Sequence, residues 1–373
     1  MRLLALVLAV GVPLRAGAFT VASGFTEGCH ERITLRAFLD FVVALPLDGV
    51  ALPAETGDDD ETWREVARFF GSEFADLAPI LADESDVTDE DRFLLMSLLV
   101  GVRSPDTEGH SVLNLEALRR LHSDPDPEGQ YAHALRGPAD DGPEGAVAAV
   151  EGTRARISEL LSEALAASLR KGAAQLTLGT FYLDFYGRIE IPVNAAFYSL
   201  GRAAHAVQDS FSHSVRDEAT GYRELVAVLN YIDAIGTNFE EERDGLAHSD
   251  SMDDCTAAPG EAGGTVDAAV AATIDLYATL RALRSGLEPH ALDAFLGRWF
   301  VFREGCTLSD GFCGNTRWVE VLREHQTQPY LEAIFACEAR SRPASPAWMV
   351  LSVFGGLWMR WARGGHRLRR APP

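Results

Sequence analysis

Lysine is all but missing from this chain. Lys171 is the only one among 373 residues, so basic character rests almost entirely on arginine. Bases of either kind are scarce beside acids, 33 against 55. Arg2 and Arg15 stand at the start, and Arg340, Arg342, Arg360, Arg363, Arg367, Arg369 and Arg370 stand at the end beside a single acid, Glu338. Residues 19–337 keep 24 bases against 54 acids, a net charge of about −30. Such a body repels phosphate backbones, so a DNA or RNA substrate would need a local positive source, and bound metal is one. Long apolar runs are missing as well: "AWMVLSVFGGLWM" near the C-terminus has thirteen residues, short of the ~20 that a spanning helix needs. There is no GxSxG elbow, no Walker loop, no CxxC pair and no nucleic-acid-binding module. No sustained period-2 alternation calls for a sheet, and no internal repeat stands out.

What is present reads as helix. "HERITLRAFLDFVVAL", "DETWREVARFFGSEFADLAPILA", "DEDRFLLMSLLVG" and "VEGTRARISELLSEALAASLRKG" carry apolar residues at three- and four-residue spacing, several behind acidic or capping starts. Gly/Pro-rich breaks fall near Asp106–Gly109, Asp124–Gly129, Gly137–Gly145 and Pro259–Gly264. The expected fold class is all-α, a multi-helix bundle with long acidic loops. The first eighteen residues, with Arg2, an apolar run and Ala16-Gly17-Ala18, read as a secretory signal peptide that leaves Phe19 first; the competing reading is a buried N-terminal helix. In an exported protein the five cysteines imply disulfides. Cys306 with Cys313 is the preferred pair and Cys29 with Cys255 the second, which leaves Cys337 over. The end of the chain, from Cys337 through "RSRPASP" and the apolar run to the arginines, resembles the C-terminal sorting tails of exported myxobacterial proteins. An amphipathic or core-packed terminal helix is the alternative there.

Chemistry concentrates in Gly201–Asp217, "GRAAHAVQDSFSHSVRD". On a helix, four residues advance only about 40° around the axis, so His205, Asp209 and His213 form one narrow stripe. Neighbours at i, i+4 can close on a single ion, as the histidines of HExxH do. A third ligand one turn further lies too far for the same tetrahedron, so the spacing suits two neighbouring ions with Asp209 between them. The plainer reading is a satisfied histidine face, with Gln208, Asp209 and Ser210 solvated. Against it, the flanking Ala203, Ala204, Ala206, Val207, Phe211 and Val215 are apolar, and an unpaired Asp209 among them would be costly.

These residues carry a resemblance. "LGRAAHAVQDSFSHS" is similar to the central helix of the zinc-dependent phospholipase C and nuclease superfamily, and its Asp-to-His spacing is closest to the heterokaryon-incompatibility C-type relatives. "CHERITLRAF" resembles the N-terminal His-x-x-Ile-Thr helix of the same proteins. The resemblance covers residues 25–255 and implies a helical bundle with two to three zinc ions in a cleft. His30 then matches the N-terminal histidine ligand, and Asp106, in "VRSPDTEGH", the Asp before the central helices. His133, in "GQYAHALRG", matches the histidine that follows, with His110 and His122 competing for that role. His205, Asp209 and His213 match the central helix. His248 with Asp253 or a neighbouring acid would complete the set, although Met252 stands where the family's usual His-x-x-x-Glu has its acid. The N-terminal residue that chelates zinc in the enzymes is Trp, whereas the expected new N-terminus here is Phe19.

The organisation that follows is a signal peptide (1–18), a zinc phospholipase C-like helical domain (19–255), a helical extension with a local disulfide (256–336) and a sorting or membrane-anchor tail (337–373). The implied chemistry is attack of a zinc-activated hydroxide on a phosphodiester, with Asp106 orienting the nucleophile. Phospholipid head groups are favoured over nucleic acid, and membrane association would come through the tail. The expected location is secreted or cell-envelope. The alternative is a non-catalytic envelope binding protein with a structural or degenerate zinc site.

Overall fold

The computed structural model describes residues 28–41, 50–53, 58–73, 87–111, 114–122, 127–140, 142–183, 186–229 and 263–303. All of these belong to the first of two compact units, residues 1–323; the second, 324–373, lies outside the described residues. The expected leader, the C-terminal apolar run, His248, Asp253 and every cysteine except Cys29 also lie outside them. Among the described residues no helix is long and apolar enough to cross a membrane.

The chain order is α1 (Cys29–Phe41), α2 (Asp58–Glu73), α3 (Asp89–Thr107), α4 (Leu115–His122), α5 (Pro127–Ala132) and α6 (Gly142–Ser168). A hairpin follows, β1 (Leu176–Leu183) and β2 (Gly187–Asn194), and leads into α7 (Ala195–Ser212). Then come β3 (Ser214–Arg216), β4 (Glu224–Val228), α8 (Gly263–Ser285), α9 (Ala291–Trp299) and β5 (Val301–Phe302). The described residues are therefore mostly helical, but an all-α body without strands is corrected by two small sheets. β1 and β2 pair antiparallel from Leu176↔Asn194 to Leu183↔Gly187. β4 pairs antiparallel with β3 and parallel with β5. "GRIEIPVN" does alternate, burying Ile191 and Val193. In "LTLGTFYL" Leu178 lies on the open side while Phe181 and Leu183 are buried, so apolar residues on both faces hide the period of two.

α7 is the axis of the core. It packs on α3, α6 and α8, and apart from Tyr198 and Arg202 its residues are buried, as a helix surrounded on all sides must be. Ala203, Ala204 and Val207 from α7 meet Leu95, Leu98 and Leu99 from α3, Leu160 and Leu161 from α6, and Ala269 and Leu276 from α8 in one apolar cluster. Each fully buried Leu or Val contributes roughly 1.5–3 kcal/mol. Residues 263–285 thus share the core that holds the central helix.

Three local devices seat α7 on α3 and shape the ends of these helices. Asn194, delivered by β2, caps α7: its side chain accepts from the amides of Ala196 and Phe197, and its own amide donates to Ser97 Oγ on α3. α3 and α7 cross at Gly101 and Gly201. A Cβ on Gly101 would lie 2.4 Å from the Tyr198 carbonyl oxygen, and one on Gly201 2.4 Å from that of Leu98, so only glycine permits the approach. Third, Pro105 sits in the last turn of α3, and Glu108 (φ 42°) and Gly109 (φ 72°) end the helix in the left-handed region.

Candidate metal centre

Side chains from three helices and one turn converge beside the C-terminal half of α7. His30 comes from the first turn of α1, Asp106 from the last turn of α3, and His133 from the turn just after α5, while His205 and Asp209 lie one turn apart on α7 itself. The His133 turn is held by two bonds to the Gln130 carbonyl, from the amides of His133 and Leu135, with Ala134 at φ 51° between them. His213 is the C-cap of α7, and its carbonyl accepts from Leu229 while the Leu229 carbonyl accepts from Arg136. That relay ties the His133 loop, the end of α7 and β4 together.

Asp209 stands at the centre and divides its oxygens. Oδ1 lies 3.1 Å from His30 Nε2; Oδ2 lies 2.9 Å from His205 Nε2 and 3.1 Å from His133 Nδ1. Asp106 looks in from the other side, 3.6 Å from His205 Nε2, 3.7 Å from His133 Nδ1 and 3.8 Å from His30 Nε2. The ring centroids of His30 and His205 are 4.3 Å apart, and those of His133 and His205 5.2 Å. Two groups, His30–Asp106–His205 and His133–His205–Asp209, have their ligand atoms mutually within 4.8 Å, close enough to hold a metal ion. All of these residues are buried.

The hydrogen bonds decide which ring nitrogens face the centre. His205 Nδ1 is 2.9 Å from the Val102 carbonyl, and His213 Nδ1 is 2.6 Å from the His133 carbonyl. A carbonyl only accepts, so both Nδ1 atoms carry hydrogen, and in the neutral rings Nε2 is left as a lone pair. Gln208 Oε1 does the same for His30, accepting from Nδ1 at 2.8 Å. The Nε2 lone pairs of neutral His30 and His205 therefore point at Asp209 oxygens, and Oδ1, fully buried, makes no hydrogen bond of its own. Acceptors facing acceptors in a buried site repel one another, and a cation between them removes the conflict. Neutral imidazole and carboxylate are also the donor set that suits zinc and similar divalent ions.

The charges respond in the same sense. Burial raises the Asp209 carboxyl, but His205, His213 and His30, with the bond from His133, outweigh it and hold the group well below the usual carboxylate range. For His30, burial opposes a charge, yet Asp209 and Asp106 prevail and raise it to about 9. Without a metal the centre would retain a proton instead.

Of the eight residues expected from sequence, the structure brings His30, Asp106, His133, His205 and Asp209 together and seats His213 alongside, 3.8 Å from Asp209. His248 and Asp253 lie outside the described residues. His110 is half-buried beyond the end of α3 and belongs to neither metal-holding group, and the His122 side chain is not described. His205 and Asp209 share the stripe their spacing demands, whereas His213 leaves the helix at its cap (φ −100°, ψ 12°) and turns to the His133 carbonyl. The expectation missed Gln208, which reads as part of a solvated face but is fully buried. It also missed the Glu31–Arg103 ion pair, which locks α1 to α3 right beside His30 and lies over Phe69 and Phe181. The signal for Glu31 was its place next to a candidate ligand; nothing in the local pattern marks Arg103 as its partner. No family model, curated protein or solved structure matches this chain.

Proposed function

We propose that this chain is an exported, zinc-dependent phosphoesterase of the type its motifs resemble, acting on phosphodiesters, with phospholipid head groups favoured over nucleic acid. The observation that carries the reading is the division of Asp209, with His30 on one oxygen and His133 and His205 on the other. In this reading His30, Asp106, His133, His205 and Asp209 would hold the ions, with His213 alongside, and the motif adds His248 and Asp253, which lie outside the described residues. Zinc bound there supplies Lewis-acid charge for phosphoryl oxygens and lowers the pKa of a water molecule toward 7. The chain's own part is to fix His30, His205 and His213 through Nδ1, to keep the Asp209 carboxylate ionised, and to hold Asp106 opposite it. Asp106 is the member with the most exposed side chain, at 9%, and lies beyond hydrogen-bond reach of all three rings. In this reading it would orient a water and take its proton. A positive centre also explains how so acidic a protein would accept an anionic substrate.

A second reading, an envelope binding protein with structural zinc, draws on the near-complete burial of His30, His205 and Asp209. One experiment separates the two: metal analysis of the purified protein, with parallel assays on phosphatidylcholine and single-stranded DNA. Two or more zinc ions per chain and chelator-sensitive hydrolysis of the lipid support the enzyme. Zinc without turnover supports the binding protein, and a stable fold that takes up no metal sinks both. His205→Ala should lower the zinc content; unchanged content would refute the site.

A further inference from the structure

Three rings of the centre are anchored through Nδ1, and the anchors differ in kind. His205 and His213 lean on backbone carbonyls, those of Val102 and His133, which no substitution can remove. His30 leans on a side chain, Gln208, that the mechanism above does not use. Its geometry leaves the amide one orientation. Nε2 reaches Thr34 Oγ1 on α1 at 3.0 Å and Thr273 Oγ1 on α8 at 3.5 Å. The Thr273 hydroxyl donates to the Ala269 carbonyl at 2.8 Å, so toward Gln208 it can only accept. The amide nitrogen therefore faces the threonines and the oxygen faces His30. Were the amide reversed, two acceptor oxygens would oppose each other in a fully buried place.

We infer that Gln208 is a positioning residue. It holds the hydrogen on His30 Nδ1 and thereby turns the Nε2 lone pair toward Asp209 and Asp106, so that α1 and α8 together set the ligand geometry at one end of the centre. Gln208 touches neither carboxylate in this role and acts only through the ring. The inference rests on the metal-centre reading for its effect on zinc, but the anchoring itself can be observed without metal.

Gln208→Met keeps length and apolar bulk and removes the acceptor, whereas Gln208→Glu keeps an acceptor toward His30. The second variant sets an oxygen against Thr273, so it should lose stability without losing the anchor. The first readout is the His30 ring N–H, followed by NMR in metal-free protein. It should exchange slowly with solvent in the wild type and in Gln208→Glu, and quickly in Gln208→Met. The second is zinc affinity by chelator competition, which should fall about 10–100-fold in Gln208→Met and be rescued in Gln208→Glu. Thr273→Val, which leaves Oε1 in place, should move both readouts in the same direction by less, and it serves if the Gln208 variants do not fold. A purely packing role would lower thermal stability equally in both Gln208 variants and leave the ring proton protected; that result overturns the inference, as does wild-type zinc affinity in Gln208→Met. A protected ring proton in a wild-type protein that takes up no zinc refutes the metal reading while upholding the anchor.

Discussion

Asp209 and Arg216 stand seven residues apart and are both buried, one at the heart of the candidate centre and the other just past the end of α7. Both take a charged group out of water, at a cost of several kcal/mol each. Arg216 is satisfied by the protein alone. Its Nε donates to the Ser210 carbonyl, Nη1 to the carbonyls of Tyr222, Arg223 and Trp299, and Nη2 to Ser210 Oγ, while the guanidinium lies 4.1 Å over the Phe211 ring. Burial pushes it down to about 9, still cationic at neutral pH. Asp209 is surrounded by imidazoles, of which His30, His205 and His213 have their Nδ1 hydrogens directed elsewhere while His133 bonds Oδ2. The difference separates a buried charge that joins chain segments from one whose surroundings could hold a metal ion: the first has its hydrogen-bonding capacity filled by neighbours, the second keeps Oδ1 without a hydrogen bond.

The largest expected effect breaks the satisfied side of this comparison. Arg216→Met removes every one of those donors and leaves several buried carbonyls short of a partner. The expected loss in stability is roughly 3–5 kcal/mol by denaturant unfolding, since each such acceptor costs about 1 kcal/mol or more. Zinc affinity should change by less than about tenfold, equivalent to 1.4 kcal/mol. A large drop in affinity with little loss of stability would reverse the assignment of the two centres.

The next effect concerns the unsatisfied side. Zinc at a hundredfold excess over its Kd should stabilise the wild type by about 2.7 kcal/mol, seen as a Tm rise of roughly 5–10 °C and undone by a chelator. Asp209→Asn, of the same shape but without the charge, should erase that rise. If the asparagine variant gained as much from zinc as the wild type, Asp209 would not be a ligand.

What the sequence made legible divides along the same line. His205 and Asp209 announce themselves because one helix fixes their relation, and a four-residue interval is local information. His30, Asp106 and His133 were reachable only through motif resemblance, since their meeting depends on where α1, α3 and α5 dock on α7. Gln208 could not be read at all. On a helix diagram it is one more polar residue beside Asp209, and its burial arises from Thr34 and Thr273, 174 and 65 residues away in sequence. The β1–β2 hairpin was lost for a different reason, because β1 carries apolar residues on its open face as well as its buried one.

Per pH unit a smaller effect follows, seen as opposite slopes. His30 in the metal-free fold is raised to about 9 from its ordinary 6.5, so its charge adds stability that is complete below 6.5 and lost as pH rises through 9. Metal-free protein should therefore become less stable across that window, by at most about 1.4 kcal/mol per pH unit. Zinc-loaded protein should show the reverse between pH 5 and 8, because protons compete with the ion for the same lone pairs. Parallel thermal melts with and without chelator would test this, and parallel slopes would argue against a shared site.

The smallest effect is at the far end of the same helix. Asn194 is a buried polar group of the satisfied kind, its Oδ1 accepting from two amides at 3.1 and 3.2 Å. Asn194→Ala should cost about 1 kcal/mol, the usual worth of an N-cap. Eleven residues separate it from His205, roughly 16 Å along the axis, and between them the Gly101–Gly201 contact holds α7 against α3. A loosened first turn therefore has no route to the Val102 carbonyl that orients His205, and zinc affinity should remain at the wild-type value while unfolding shifts. If affinity fell together with stability, the glycine crossing would not isolate the two ends. The position of the centre would then depend on the whole length of α7 rather than on the ring anchors beside it.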